Sequence, residues 1–392
     1  MSKIAVLGAT GSIGTSALEV IEANKDKFSI SLLAADSNSK KIFQQCLKFN
    51  PKYVYLRNNS AAKELKKTLS TKNLRTVIID ESELLEIISL PEVEIVIAGI
   101  VGIAGLKLVH KAAESGKRIL LANKESYVVA GELLNDLAKT NKATIFPIDS
   151  EHSAIHQCIS GEKNIGKNVY KLILTGSGGP LLNISLKNFP KVTPEEAVCH
   201  PVWSMGKKIS IDSATMMNKG LEVIEAKWLF NLSPDKIDIL VHPEGIIHSM
   251  VEFKDASVIA QMSVPDMKIP IAYGLGFPSR IESNSKRLRL EQLENLSFFR
   301  PDLEKFPCIK IAREALESGG TATALLNAAN EEAVAAFLDK KIKFTQIFEI
   351  ISFVMDKNPI KAVKELGCIL EADRQGRESS VNRINTINGS IT

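Results

Sequence analysis

The sequence predicts an α/β protein: a doubly wound parallel sheet at the N-terminus, then a central α+β part and a C-terminal helical bundle. Three observations support this fold class. Short apolar runs alternate with amphipathic stretches up to residue 146, the middle is richer in turns, and the end has helical periodicity. We therefore divide the chain into domains at 1–146, 147–264 and 301–392, with a connecting segment at 265–300.

The N-terminal sheet is predicted from seven apolar runs. They read KIAVLG, SISLLAA, YVYL, TVIID, VEIVIAGI, RILLA and ATIFPI. Amphipathic stretches such as TSALEVIEANKDK, SKKIFQQCLKF and GLKLVHKAAESG separate several of these runs. Strands that alternate with helices pair in parallel, because each helix returns the chain to the same end of the sheet.

The rest of the chain changes character twice. The central part holds four predicted strands, YKLILT, IDILVH, MVEFK and SVIAQM, which favour a layer with more antiparallel pairing. Pro, Gly and Ser recur in 265–300, as is typical of a connecting segment. Beyond it, IKIAREALESGG, TALLNAANEEAVAAFLDKK and FTQIFEIISFVMDK predict a small helical bundle.

Composition excludes several classes of protein. The chain has 392 residues, 24% of them charged, and a net charge of +4 without a basic cluster, which argues against a nucleic-acid-binding protein. The longest apolar run, IVIAGIVGIAGL, is too short to cross a bilayer. The five cysteines are scattered, and the N-terminus enters a strand directly. We therefore expect a cytoplasmic protein with reduced thiols and no membrane partner.

A glycine loop, GATGSIG, follows the first predicted strand and precedes a helix. Gly8, Gly11 and Gly14 would let backbone amides approach a pyrophosphate, as in a Rossmann-like dinucleotide site, although a plain tight turn is the alternative. The choice of nucleotide stays open. Asp36 would favour NAD by binding the ribose 2′-hydroxyl, whereas the stretch from Ser37 to Lys41 could hold the 2′-phosphate of NADP.

Two acids stand close together in PIDSEHSAIH. If Asp149 and Glu151 continued the preceding strand, both carboxylates would point to one face at its carboxyl end, where Mg²⁺ or Mn²⁺ could bind. The equal alternative is a helix capped by Asp149 or Ser150, with Glu151 in the first turn. His152 and His156 lack the HExxH pattern and are interpreted as supporting residues.

The stretch 200–230 supplies further candidates. A hydroxyl, an amide and an ammonium at Ser213, Asn218 and Lys219 suit a phosphate, and either Glu222 or Glu225 could complete a metal site. A surface helix with a capping residue is the alternative. Further polar or adaptable residues lie on a glycine turn, Ser177 in TGSGGP, and on a lid-like segment, HPVWSMG.

Taken together, these motifs resemble 1-deoxy-D-xylulose 5-phosphate reductoisomerases. The resemblance rests on GATGSIG, LANKES, DSEH, TGSGGP, HPVWSMG and SATMMNKGLEVIEA, and it continues through IHSMV, PDMKIPIAYGL and TALLNAANEEAVAAFL. It implies rearrangement of 1-deoxy-D-xylulose 5-phosphate and NADPH-dependent reduction to 2-C-methyl-D-erythritol 4-phosphate. A homodimer and a divalent ion (Mg²⁺, Mn²⁺ or Co²⁺) are implied with it.

The resemblance also implies a role for particular residues. It assigns the metal to Asp149, Glu151 and Glu222, and adds Lys124 and His200 to them as catalytic residues. The implied substrate-binding residues are Lys124, Ser150, Glu151, Ser177, His200, Trp203, Ser213, Asn218, Lys219 and Glu222, with a flap at about 197–207. The implied cofactor-binding residues are Gly8, Thr10, Gly11, Ser12, Ile13, Ser37, Asn38, Asn123, Lys124, Glu125, Gly206 and Met267.

One stretch departs from the family pattern, and two other functions compete. AADSNSKK stands where many members have a Gly-Lys-Asn type of segment, which places an acid, Asp36, in this region; we still predict NADPH.

A different NAD(P) dehydrogenase would need a nucleophile such as Cys158, or a base paired with the nicotinamide, and no metal. A dinucleotide-sensing regulator would show no turnover and would tolerate Asp149→Asn.

Overall fold

The structure is a computed structural model that describes residues 1–72, 74–203 and 205–389. Residue 204, inside the predicted flap, and residues 390–392, at the end of the predicted helical domain, lie outside the described residues. The chain forms two compact units. The first comprises Met1–Ser126, Leu134–Ser153 and Asp266–Lys286, and the second comprises Tyr127–Leu133, Ala154–Pro265 and Arg287–Thr392.

The described residues form eleven strands. They are β1 (Ser2–Leu7), β2 (Phe28–Ala35), β3 (Tyr53–Leu56), β4 (Val77–Ile79), β5 (Ile95–Ala98), β6 (Arg118–Leu121), β7 (Thr144–Pro147), β8 (Val169–Gly176), β9 (Ile237–Val241), β10 (Ile247–Phe253) and β11 (Val258–Met262). All seven strands predicted in the N-terminal part and all four in the central part are present.

The helices alternate with the strands of the first sheet and dominate the C-terminal region. They are α1 (Ser12–Ala23), α2 (Ser39–Phe49), α3 (Asn59–Thr71), α4 (Glu81–Ser89), α5 (Leu106–Glu114), α6 (Lys124–Asn141), α7 (Ser150–Cys158), α8 (Ile165–Asn168), α9 (Pro194–Ala197), α10 (Lys207–Ala214), α11 (Met217–Phe230), α12 (Lys268–Gly276), α13 (Cys308–Ser318), α14 (Ala322–Leu338), α15 (Phe344–Lys357) and α16 (Leu366–Ile387). Short 3₁₀ helices lie at Ile103–Gly105, Leu186–Lys191, Pro234–Lys236 and Leu290–Gln292.

The first unit contains a seven-stranded parallel sheet in the order β4-β3-β2-β1-β5-β6-β7. Its core strands are buried on both faces, since helices cover a doubly wound sheet from both sides; Ile4, Val6 and Leu33 are fully buried. The strand order steps outward in both directions from β1, so the loops after β1 and β5 flank the switch point where such sheets bind ligands. The predicted N-terminal fold class is confirmed.

The segment predicted as a connection contains a helix. Helix α12 packs against α1 in the first unit, and an aromatic cluster of Tyr273, Phe277 and Phe146 secures it. Its apolar run, IPIAYGLG, follows Pro265 and ends just before the Phe277-Pro278 step, so turn residues frame a short buried helix. The domain boundaries at 146, 264 and 300 stay a prediction.

The second unit contains a four-stranded sheet in the order β11-β10-β8-β9. Strand β10 pairs antiparallel with β8 and β11, while β8 and β9 are parallel. The predicted mixed α+β layer is therefore present. Strand β11 lies at the edge, where Val258 and Ile259 are 51% and 47% exposed.

The helices after residue 300 confirm the predicted helical region. Helix α14 is buried nearly all round and packs against both α15 and α16. Helix α16 was not predicted because the buried residues between Ile369 and Ile384 are small or polar, such as Gly376 and Ser380. A Cβ at Gly376 would lie 2.9 Å from the Cβ of Ala328, so the close approach of α16 to α14 requires that glycine.

None of the helices in the described residues combines the length and the apolar character that a membrane span needs.

Candidate functional site

The glycine turn after β1 has the geometry of a dinucleotide-binding loop. Gly8 has φ +83°, and a Cβ on Gly14 would lie 2.3 Å from the carbonyl oxygen of Gly8. Helix α1 begins at Ser12, and among the described residues no side chain caps it at Gly11. The exposed first amides of α1 are therefore available to an anion, which the positive end of the helix dipole favours.

The start of α2 supports the glycine turn from the side. Lys41 Nζ donates to the carbonyl oxygen of Thr10 at 2.9 Å and to Thr15 Oγ1 at 2.7 Å. Of the two candidates after β2, Ser37 is exposed, and Asn38 caps α2 by accepting from the amide of Lys41 at 3.0 Å. The two nearby apolar candidates, Ile13 and Met267, are half-buried against the core of the first unit.

The LANKES motif forms the turn between β6 and α6. Asn123 is buried; its Oδ1 accepts from the amide of Ser126 at 2.8 Å, and its Nδ2 donates to the carbonyl oxygen of Gly102 at 2.9 Å. These bonds fix the start of α6. The next two residues, Lys124 and Glu125, are both buried, and Lys124 Nζ lies 2.5 Å from Asp149 Oδ2.

The two acids of PIDSEH lie at the start of a helix. Strand β7 ends at Pro147 and α7 begins at Ser150, so Asp149 precedes the helix and Glu151 is in its first turn. Of the two alternatives for this pair, the structure has the helix, because α7 starts three residues after Pro147. Asp149 and Glu151 each still offer a carboxylate oxygen within 4.8 Å of the other, so they remain together as a candidate ligand pair.

In the second unit, Ser177 and His200 form a hydrogen-bonded pair. His200 Nδ1 accepts from the amides of Val202 and Trp203, at 3.2 and 2.8 Å. The ring proton is then on Nε2, which donates to Ser177 Oγ over 3.0 Å. Ser177 therefore keeps its own hydroxyl proton to donate. The ring of Trp203 contacts that of His248, with centroids 5.9 Å apart.

The remaining polar candidates of the second unit gather around α11. Glu222 is fully buried; its Oε1 accepts from Asn218 Nδ2 at 2.6 Å, and its Oε2 lies 2.5 Å from Lys219 Nζ. Two glycines of TGSGGP make room for this group. A Cβ on Gly176 would lie 2.8 Å from Lys219 Cε, and one on Gly179 would lie 2.6 Å from the carbonyl oxygen of Ser213. The structure thus brings the turn that carries Ser177 against α10 and α11.

Comparison with known proteins identifies the family. Family models described as 1-deoxy-D-xylulose 5-phosphate reductoisomerase and as its C-terminal domains match residues 4–131, 145–230 and 262–379. The reductoisomerase of Nitrosomonas eutropha is 47% identical over 98% of this chain and 94% of its own length. The chain belongs to the 1-deoxy-D-xylulose 5-phosphate reductoisomerase family. The Buchnera aphidicola reductoisomerase is 46% identical, over 99% of this chain and 100% of its own.

Solved reductoisomerase structures share the fold. One, a complex with NADPH, fosmidomycin and magnesium, has a TM-score of 0.95 at 42% identity and covers 100% of both chains. Another, from Zymomonas mobilis with NADPH, has a TM-score of 0.91 at 40% identity over 98% of both chains. The recognition made from the motifs is confirmed.

The structure of this reductoisomerase-family chain also shows polar residues that sequence reasoning missed. Asp212 is buried beside Ser213, where it accepts from Asn330 Nδ2 at 2.8 Å and lies 2.8 Å from Lys208 Nζ. The hydrogen bond from Asn330 fixes α10, which begins after Gly206, against α14. The i, i+4 spacing of Lys208 and Asp212 was a usable signal for an ion pair, although it did not show burial.

Cys158, the nucleophile that a different dehydrogenase would need, is poorly suited to that role. It is buried, and burial raises the pKa of its thiol to about 11. A thiol with this pKa is protonated at neutral pH, whereas the thiolate is the nucleophile. Family membership and this environment both argue against that alternative.

Proposed function

We propose that this chain converts 1-deoxy-D-xylulose 5-phosphate into 2-C-methyl-D-erythritol 4-phosphate with NADPH and a divalent ion, as a step towards isoprenoid precursors. Membership of the reductoisomerase family supports the reaction. The observation that carries the proposal is the side-chain group on α11. It combines a fully buried carboxylate, Glu222, with two donors suited to phosphate, Asn218 and Lys219.

We assign the divalent ion to Asp149, Glu151 and Glu222. Three carboxylates are hard oxygen donors that fit Mg²⁺, Mn²⁺ or Co²⁺. Carboxylate oxygens of Asp149 and Glu151 lie within 4.8 Å of each other, and Lys124 Nζ lies 2.5 Å from Asp149 Oδ2. When bound, such an ion supplies Lewis-acid polarisation of the substrate's oxygen atoms. Lys124, Ser150 and His200 would orient that end of the substrate.

We assign NADPH to the carboxyl edge of the first sheet, where it supplies a hydride. The glycine turn suits a pyrophosphate, since Gly8 has a positive φ and the first amides of α1 have no side-chain cap at Gly11. The residues in this role are Gly8, Thr10, Gly11, Ser12, Ile13, Ser37, Asn38, Asn123, Lys124, Glu125, Gly206 and Met267. NADPH bound to a related solved structure supports this assignment.

The substrate phosphate is assigned to Ser177, Ser213, Asn218 and Lys219. Ser177 is prepared to donate, because its oxygen already accepts from His200. Binding at this distant group would orient the reacting end of the sugar and contribute binding energy to the transition state. We infer that the segment around 197–207, anchored through His200 and carrying Trp203, closes over the substrate and excludes water.

We also propose a cytoplasmic homodimer. Edge strand β11 supports self-association, since Val258 and Ile259 expose apolar side chains and no further strand pairs with β11 among the described residues. Replacing Ile259→Asp would shift the mass measured by light scattering from dimer to monomer. Val77→Asp, at a comparably exposed apolar residue of β4, is the matched control and would leave the dimer intact. A wild-type protein that is monomeric in this measurement would contradict the proposal.

The test of the reaction follows NADPH oxidation with deoxyxylulose phosphate and Mg²⁺ or Mn²⁺, with and without a chelator. We expect substrate-dependent oxidation that the chelator abolishes and that Asp149→Asn nearly eliminates. Asp136→Asn, an exposed acid on α6, serves as the matched control and retains activity. Turnover that resists the chelator would favour a different dehydrogenase, and a wild-type protein that binds NADPH without turnover would favour a regulator.

A further inference from the structure

Asp36, at the end of β2, conflicts with NADPH at first sight. An acid at this place normally accepts a hydrogen bond from the ribose 2′-hydroxyl of NAD, and its charge repels a 2′-phosphate. In this structure, however, the carboxylate already has a cationic partner. Asp36 Oδ1 lies 2.7 Å from Arg57 Nε, and the two side chains are 59% and 69% exposed.

The Asp36–Arg57 pair lies at the same sheet edge as the glycine turn. The amides of Gly8 and Ala9 both donate to the carbonyl oxygen of Ala34 at 2.9 Å, which joins the end of β1 to the end of β2. The amide of Arg57 donates to the carbonyl oxygen of Ala35 at 3.1 Å, which joins the end of β3 to the same strand. A dinucleotide whose pyrophosphate sits at the glycine turn places its adenosine ribose just beyond β2.

We propose that Arg57 binds the 2′-phosphate of NADPH and that Asp36 positions its guanidinium for this role. The inference rests on the proposed function and deepens it by naming the residue that selects the nucleotide. A guanidinium has five N–H donors in a fixed fork, so Arg57 can keep its Nε bond to Asp36 while both Nη groups face a phosphate. Asp36 is thereby a positioning residue, and its charge is offset.

One neighbouring cation, Lys41, is engaged at the glycine turn instead. The ammonium of Lys41 is engaged by Thr10 and Thr15 at the glycine turn, where it is suited to the pyrophosphate. The cationic side chain that follows β3 is Arg57, next to Asn58, which caps α3 by accepting from the amide of Ala61 at 3.0 Å. That cap holds the turn after β3 independently of the Arg57 side chain.

A purely structural role explains the pair poorly. Ion pairs exposed to this extent contribute little to folding, since solvent screens both charges and the side chains lose conformational freedom. Replacing Arg57 should therefore leave the fold intact, and nucleotide selectivity can be measured in a folded protein. The other end of β3 offers a matched control. Lys52 precedes that strand, is 57% exposed and pairs with Glu92 at 3.1 Å.

The experiment is a calorimetric titration of Arg57→Leu, Asp36→Asn, Lys52→Leu and the wild type with NADPH and with NADH. The measured quantity is the ratio of the NADH and NADPH dissociation constants. Arg57→Leu should lower this ratio by about tenfold or more through weaker NADPH binding, because it loses charged hydrogen bonds to phosphate. Asp36→Asn should raise the ratio, because the Asn amide oxygen can still accept from Arg57 Nε while the negative charge that repels the 2′-phosphate is removed. Lys52→Leu should leave the ratio unchanged. Adenosine 2′,5′-bisphosphate and AMP should repeat the pattern of NADPH and NADH.

The outcomes separate this inference from the proposed function. If the wild type binds NADPH but Arg57→Leu leaves the ratio unchanged, the assignment of Arg57 is overturned while the proposed reaction stands. An equal loss in Lys52→Leu would overturn it as well, because the effect would then be general electrostatics. If the wild type binds neither nucleotide, both are overturned.

Discussion

The glycine turn of the first unit and the α10–α11 region of the second unit are built in opposite ways. At the glycine turn, Gly11 and Ser12 are exposed and the binding groups are backbone amides. At α11 the binding groups are side chains; Glu222 is fully buried and Lys219 is 5% exposed. The first region depends on the absence of side chains, and the second depends on specific ones.

This difference determines which substitutions each region tolerates. A backbone site is damaged by adding atoms, since a new Cβ fills the space that the ligand or the turn needs. A buried charged group is damaged by removing one partner, because the remaining charge stays desolvated and unpaired. Changes in charge should therefore have the largest effects in the second unit, and changes in volume should have them in the first.

The largest expected effect comes from Glu222→Gln. Removing this carboxylate takes away a proposed metal ligand and a negative charge that lies 2.5 Å from Lys219 Nζ. Loss of outer residues around a metal already costs about 10–100-fold, so we expect kcat/KM to fall by more than about 100-fold. Mn²⁺ affinity, measured by calorimetry, should weaken as well.

Glu225→Gln, one turn further along α11, is the matched control. Glu225 is equally buried. The pKa of Tyr127 is raised mainly by the burial of Tyr127 and further by the charge of Glu225. We expect this variant to keep the Mn²⁺ affinity of the wild type. Loss of Mn²⁺ affinity in Glu225→Gln, with Glu222→Gln unaffected, would transfer the role of metal ligand to Glu225. A Glu222→Gln protein with a lower melting temperature but unchanged Mn²⁺ affinity would indicate a structural role for Glu222.

A smaller effect is expected from adding a methyl group to the glycine turn. A Cβ on Gly14 would lie 2.3 Å from the carbonyl oxygen of Gly8, whereas one on Gly11 would lie 3.3 Å from it. Gly14→Ala should lower the free energy of unfolding by about 1–3 kcal/mol and also weaken NADPH binding. Gly11→Ala should weaken NADPH binding while leaving the melting temperature nearly unchanged. Equal melting temperatures in the two variants would contradict this reading of the turn.

The same contrast explains what the sequence could and could not predict. The strands of the first sheet were found because a doubly wound sheet requires continuous apolar runs, and KIAVLG and VEIVIAGI are such runs. Helix α16 was missed because the buried residues between Ile369 and Ile384 are small or polar, so the apolar period is interrupted. Close packing at Gly376 depends on Ala328 of α14, and the sequence around Gly376 does not indicate which helix packs against it.

The candidate site was predicted unevenly for a related reason. The glycine turn is local, so its chemistry and geometry were both readable from GATGSIG. For α11, the residue types indicated a phosphate site and a metal ligand. The local pattern did not distinguish Glu222 from Glu225 as that ligand, and the family resemblance selected Glu222. Arg57 and Asp212 were missed because their partners, Asp36 and Asn330, lie in other elements of the fold.

The smallest expected effect concerns the buried thiols behind the two regions. Cys46 on α2 lies in the core of the first unit, and Cys308 lies behind α10–α11 in contact with Thr215. Burial raises the pKa of both thiols to about 12. Because only a thiolate reacts with iodoacetamide, a thiol with this pKa is reactive in roughly one molecule in 10,000 at pH 8.

We therefore expect Cys199, which is exposed, to be alkylated at pH 8 while Cys46, Cys158 and Cys308 stay unmodified. Peptide mass spectrometry after timed labelling would measure this, with the unfolded protein as the control in which all five cysteines react. Raising the pH towards 10 should still leave the buried thiols slow to react, since access as well as ionisation limits their labelling. Fast labelling of Cys308 in the folded protein would show that the α10–α11 region opens to solvent. This result would contradict the contrast between a rigid, buried side-chain site and an exposed backbone site.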